Sequence, residues 1–180
     1  MSDAVLVLTI NWGLAMVFSV ALLHKVRAWP RFNASLAAYR LVPEALVGAA
    51  AGLLMASEAL VVVLLVACHA LAGLAASLLL SAYALAIAVS VLRGRTHIDC
   101  GCGDEPTPVS WSLVVRNLCL VGLALVATQL QIAGALNLGM QWLTGLVSLA
   151  LALVGFGIYQ AVEQLFANRG RHQRLWLGAN

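Results

Sequence analysis

The 180-residue chain is 63% hydrophobic and 9% charged, with ten basic and seven acidic residues giving a net charge of +3. A soluble domain carries roughly 25% charged residues, so this composition excludes a fold that covers itself with a wetted surface. The basic residues are spread along the chain and form no clustered patch of the kind that binds nucleic acid. A single polytopic membrane domain, with the lipid bilayer as its solvent, is the expected class.

Met1-Ser2-Asp3 lacks the positive segment of a secretory signal, so the first apolar run, residues 4–23, is expected to remain as a transmembrane helix. Residues 24–45 follow as an interfacial segment. There Trp29-Pro30 precedes Phe32, Leu36 and Tyr39 at helical spacing, with Arg31 and Arg40 offset, the pattern of a short helix lying on the bilayer. Two further spans are expected at 46–68 and 71–92, with Cys68-His69-Ala70 and Gly73 as candidates for the tight turn between them. A polar segment, 93–111, contains two cysteines. Spans at 112–133 and 142–162 follow, and a basic tail occupies 163–180. Backbone groups in lipid must satisfy one another within each segment, so every span is helical. The predicted fold is an all-α integral membrane bundle of about five transmembrane helices. Small residues at every fourth position, Gly48-Gly52-Ala56 and Gly73-Ser77-Ser81, are expected to be ridges where helices pack closely.

With five spans, all ten Lys and Arg residues fall on one side. The positive-inside rule then puts the N-terminus outside and the C-terminus in the cytoplasm, and the loop at Cys100 and Cys102 on the cytoplasmic face.

Chemistry is concentrated in few places. Glu58 is an acidic residue well inside a span, where burial costs at least ~2.5 kcal/mol on insertion scales. Its candidate partners are Lys25, His24, Asn11 and Thr9. The expected state is a hydrogen-bonded, neutral carboxyl that fixes helix register, and the alternative is an intramembrane acid that handles protons or faces a quinone. Arg116, near the start of the fourth span, is placed to snorkel to the interface or to lower the pKa of a nearby thiol. Cys68 and Cys119 lie in apolar sequence and read as small hydrophobes. Cys100-Gly101-Cys102 has a polar setting and supports three readings: a strained, labile disulfide that exchanges, a metal site with His97, or a loop without chemistry. Cys119, about two turns into its helix, is in reach of that loop as a resolving thiol. The sequence contains no Cys-x-x-Cys and no phosphate-binding glycine loop.

His24-Lys25, Phe32, Leu36, Tyr39, Leu41 and Pro43, then Glu58, Cys100-Gly101-Cys102-Gly103, Pro108-Val109-Ser110 and Arg116-Asn117 form a combination that resembles the methylamine utilisation protein MauE family, within the wider set of DoxX-like membrane proteins. The resemblance runs from about residue 10 to 160. It implies a multi-pass factor of the bacterial inner membrane for maturing the small (beta) subunit of methylamine dehydrogenase, a periplasmic, disulfide-rich protein. It also implies a thioredoxin-like periplasmic partner, MauD-like, and a redox role for Cys100 and Cys102 in thiol–disulfide exchange. Two other functions are compatible with it: a non-catalytic assembly or transport partner, and a quinone-linked oxidoreductase subunit that uses Glu58. A periplasmic substrate and a cytoplasmic cysteine pair are reconciled if reducing equivalents pass outward.

Overall fold

Lipid removes the hydrophobic drive between helices, so their arrangement follows from packing and from the few polar groups each carries. The computed structural model describes residues 2–95, 109–133 and 142–177, with side chains described up to residue 165. Helix α1 (Ser2–Arg27) leads into the short α2 (Trp29–Tyr39), a 3-10 turn (Glu44–Leu46) and α3 (Val47–Val66). Helices α4 (Ala72–Leu92), α5 (Trp111–Ile132) and α6 (Trp142–Leu177) complete the described elements. Five of these helices are long and apolar enough to cross a membrane, and no strand occurs among the described residues. The chain is an all-α, multi-pass membrane protein.

Helix α1 is the hub of the bundle, touching α3, α4, α5 and α6. Its Leu14, Ala15 and Phe18 join Val61 and Leu65 of α3, Ala72, Ala76 and Leu80 of α4, and Leu120, Ala124 and Ala127 of α5 in the main core. A second core gathers Tyr39 of α2 with Ala84, Ile87, Val109, Leu113 and Val114, where α4 ends and α5 begins. Helix α2 has Pro30 in its first turn, where a missing N–H leaves no bond unmade. It turns Phe32, Ser35 and Tyr39 inward. Leu36, expected on that face, is half-buried, and Ser35 on the other flank of the 32–39 line takes the inner place.

The turn after α3 is a Schellman motif, with Cys68 N–H donating to the Leu65 carbonyl at 3.1 Å and His69 N–H to Leu64 at 2.9 Å. Cys68 takes the left-handed position at φ +52°, where glycine is usual and a side chain costs about 1–2 kcal/mol. Helix α4 stops by the same device, with Gly94 at φ +71° and Arg95 N–H donating to the Ser90 carbonyl at 3.0 Å.

The two small-residue ridges differ. At the α4–α5 contact, a Cβ on Gly73 would meet Thr128 Oγ1 at 2.1 Å and the Ala124 carbonyl oxygen at 2.6 Å, so only glycine permits that approach. On α3, Gly48, Gly52 and Ala56 are exposed, with nothing near a Cβ at either glycine. The expected α3 ridge therefore does not pack within this chain. Spacing identifies a face but not the direction it points, and Val47, Ala51, Glu58, Val61 and Leu65 take the inner side.

Helix α6 runs 36 residues, continuing past the expected 142–162 span. Among its described side chains only Ser148 and Ala152 are buried, and they lie against α1. Ser148 Oγ donates to the Val5 carbonyl at 3.3 Å, and Thr9 Oγ1 donates to the Ser148 carbonyl at 3.5 Å.

Candidate functional site

Lys25, in the last turn of α1, reaches inward to Glu58 at the middle of α3. The two side chains are 2% and 0% exposed and form an ion pair through Glu58 Oε1. Tyr83 of α4 completes the group. Its hydroxyl donates to Glu58 Oε1 at 2.7 Å and accepts from Lys25 Nζ at 3.3 Å. The ammonium also sits 4.9 Å from the centre of the Tyr83 ring and 5.2 Å from that of Phe32, distances at which a ring face attracts a cation. Three helices and the interfacial α2 thus converge on one charge. Lys25 fills the partner role, while Thr9 bonds instead to α6. Glu58 Oε2 is buried and has no hydrogen-bond partner among the described residues, a state that costs roughly 1–3 kcal/mol.

Beside this group lies a second ion pair. Arg116 of α5 directs one guanidinium nitrogen to both carboxylate oxygens of Glu163 on α6, at 2.7 and 2.8 Å. A cavity of about 110 Å³ connects the two pairs. Val17, Ala21 and His24 of α1 line one side, Leu120 of α5 and Phe156, Tyr159 and Gln160 of α6 the others. Phe156 and Tyr159 stack with ring centres 6.3 Å apart. Arg116, expected to snorkel or to act on a thiol, is paired with a carboxylate instead. Sequence reasoning missed Tyr83, Tyr159 and Glu163. An unmatched Arg116 inside a span was the available signal, since it requires a counter-ion.

The cysteines are dispersed. Cys100, Cys102 and His97 lie outside the described residues. Cys119 is exposed on α5. Cys68 is half-buried at the opposite end of α4 from the cysteine loop, and burial pushes its thiol up in pKa while the Asn11 side chain pulls it slightly down. Among the described residues no cluster of three or more His, Cys, Asp or Glu side chains is placed to hold a metal ion.

Comparison with known proteins follows the same lines as the geometry. No solved structure matches the chain. The family model described as methylamine utilisation protein MauE matches residues 3–130, from the first turn of α1 to the last turn of α5, and so covers Lys25, Glu58, Tyr83 and Arg116 but not Glu163. The chain is 39% identical over 163 residues to the methylamine utilization protein MauE of Paracoccus denitrificans, covering 86% of this chain and 87% of the relative. It is 35% identical over 156 residues to that of Methylophilus methylotrophus, covering 83% and 80%. Over 139 residues it is 39% identical to that of Paracoccus versutus, covering 67% and 69%. With the family model matched over most of the chain and these relatives at 35–39% identity, the chain belongs to the MauE family and is an accessory membrane protein of methylamine utilisation.

Proposed function

We propose that this protein supports maturation of the methylamine dehydrogenase small subunit by thiol–disulfide exchange at Cys100 and Cys102, acting with a thioredoxin-like partner in the inner membrane. Membership of the MauE family across the segment that contains the cysteine loop carries this reading. The remaining thiols favour it by contrast. The nucleophile in exchange is a thiolate, and the raised pKa of Cys68 leaves it mostly protonated near neutral pH. Cys119 is exposed on the outer side of a spanning helix, where lipid is its environment. Cys100 and Cys102 alone combine a polar sequence setting with mutual reach, and Gly101 supplies the backbone freedom that a small ring needs. The loop is carried by α4 and α5, the helix pair locked together at Gly73.

Exchange passes through a mixed disulfide, so one single mutant of the pair traps a partner. Cys100→Ser and Cys102→Ser each abolish accumulation of correctly bridged substrate at matched membrane levels, and Cys68→Ser leaves it intact. A reductant-sensitive complex on a non-reducing gel marks the trapped partner. Cys119→Ser is intermediate if that thiol resolves the mixed disulfide. If the Cys100→Ser, Cys102→Ser double mutant matures substrate as well as the parent, exchange at this pair is excluded and the protein acts as a non-catalytic scaffold.

A further inference from the structure

Helix α6 is tied to the bundle at two places. Ser148 and Ala152 are buried against α1, and Glu163 pairs with Arg116 of α5. Beyond Ala152 no described residue of α6 is fully buried, and among the described residues α5 and α6 share no continuous packed interface. The inner stripe of that half, Phe156, Tyr159 and Gln160, is half-buried and borders the cavity of about 110 Å³. Gly155 and Gly157 stand between the two ties. Both are exposed, and a Cβ on either would meet nothing within 4 Å. At Gly73 the missing side chain permits close packing. At Gly155 and Gly157 it brings no contact and leaves only its cost, a backbone freer to bend.

We propose that the second half of α6 is a strap, hinged at Gly155 and Gly157 and latched to α5 by the Arg116–Glu163 ion pair. A hinge needs slack on its moving side. Gly48 and Gly52 of α3 are as open as the α6 pair, but α3 is buried beyond them at Glu58, Val61 and Leu65, so a bend there breaks packing. Past Gly157 no described residue of α6 is buried, and a bend leaves the core intact. A latch needs a bond that can open. The side chains of Arg116 and Glu163 are 18% and 33% exposed, against 2% and 0% for Lys25 and Glu58. A pair that its surroundings can reach loses less on parting than one sealed in the core, because each charge regains solvation. Once the latch opens, the arm swings away from α5 and carries the Tyr159 and Gln160 wall of the cavity with it. The cavity then opens toward the bilayer. The anchored half stays in place, held by the Ser148 hydroxyl on the Val5 carbonyl and by Thr9 on the Ser148 carbonyl. A few backbone positions thus absorb the whole change, as in other hinged elements.

The test uses the full-length protein in lipid nanodiscs, with distances between spin labels read by double electron–electron resonance. The labels are attached through p-acetylphenylalanine, which spares the native thiols. One pair, at Leu92 of α4 and Leu165 of α6, reads the arm, and a second, at Leu78 of α4 and Leu146 of α6, reads the anchored half. All four side chains are exposed, so labels there disturb no packing. A bend of about 20° at Gly157 displaces residue 165, about 12 Å further along the helix, by about 4 Å. Glu163→Gln is expected to shift the arm distance by at least that amount and to leave the anchored distance at its parent value. Adding Gly155→Ala and Gly157→Ala is expected to reverse at least half of the shift. If Glu163→Gln fails to assemble, Arg116→Gln opens the same latch from α5. An unchanged arm distance in an assembled latch variant overturns the proposal. So does an equal shift of both pairs, which marks a helix leaving as a rigid rod, or an arm shift that the two alanines leave undiminished.

Discussion

At the scale of single residues, Lys25 and Glu58 carry the largest electrostatic commitment in the bundle. Removing one partner of a buried pair leaves the other charged and uncompensated, at a cost of about 3–5 kcal/mol. Glu58→Gln is therefore expected to lower thermal stability in detergent by that order, since Lys25 is 2% exposed and keeps only neutral acceptors, the Tyr83 hydroxyl and the new amide oxygen, with no counter-charge. The double variant Lys25→Met, Glu58→Leu recovers most of the loss, because apolar residues of similar volume replace buried pairs at little cost. A Glu58→Gln protein as stable as the parent shows instead that the two groups meet in their uncharged forms. That Glu58 needs a partner was legible in the sequence, because a carboxyl in lipid is too costly to leave alone. That the partner is Lys25 was one of several readings, since helix ends alone do not say how far an aliphatic stem reaches inward. Tyr83 was not legible, as a tyrosine in an apolar run reads as packing until a buried charge is found beside its hydroxyl.

At the scale of elements, helix boundaries were read closely because lipid admits few solutions. Expected spans at 71–92 and 112–133 correspond to α4 at 72–92 and α5 at 111–132. Interfaces were harder. Two ridges with the same small-residue spacing have opposite fates, because the period of a helix is local while its orientation depends on where its neighbours sit. Glu163 was missed for a related reason. A span drawn by hydropathy stops at 162, yet the helix continues and carries the carboxylate back to Arg116. The α4–α5 contact yields a direct prediction. Gly73→Ala places a methyl 2.6 Å from the Ala124 carbonyl oxygen, a backbone atom that cannot turn aside. The helices must separate, at about 1–3 kcal/mol as for other overpacked sites. Thr128→Ala in the same protein relieves only the contact with Oγ1, so it restores part of the stability measured by thermal denaturation. Gly48→Ala, on the open face of α3, costs nothing and is expected to stabilise by up to about 1 kcal/mol, since alanine loses less backbone freedom in a helix.

At the scale of the whole molecule, the ends of α1, α4 and α6 and the starts of α3 and α5 share one end of the bundle by chain order. That end is the one to which the basic residues belong, and we propose that it faces the cytoplasm. Reporter fusions at residues 104, 137 and 180 are expected to read inside, outside and inside. A periplasmic signal at 104 with a cytoplasmic one at 180 refutes that orientation and moves the cysteine loop to the periplasmic side.

Helix α1 stands at the centre of the bundle, yet it is the earliest of the spanning helices in the chain. In synthesis it enters the bilayer before any of the helices that later enclose it. During that interval Lys25 lacks Glu58, though its position in the last turn lets the ammonium reach toward the headgroups. Asn11 has no such escape. It lies in the body of the helix, ends up fully enclosed, and apart from its approach to Cys68 finds no partner for its amide among the described residues. The order of manufacture is thus the reverse of the order of enclosure: the innermost helix waits longest in lipid, and α6, the least buried, closes over it last.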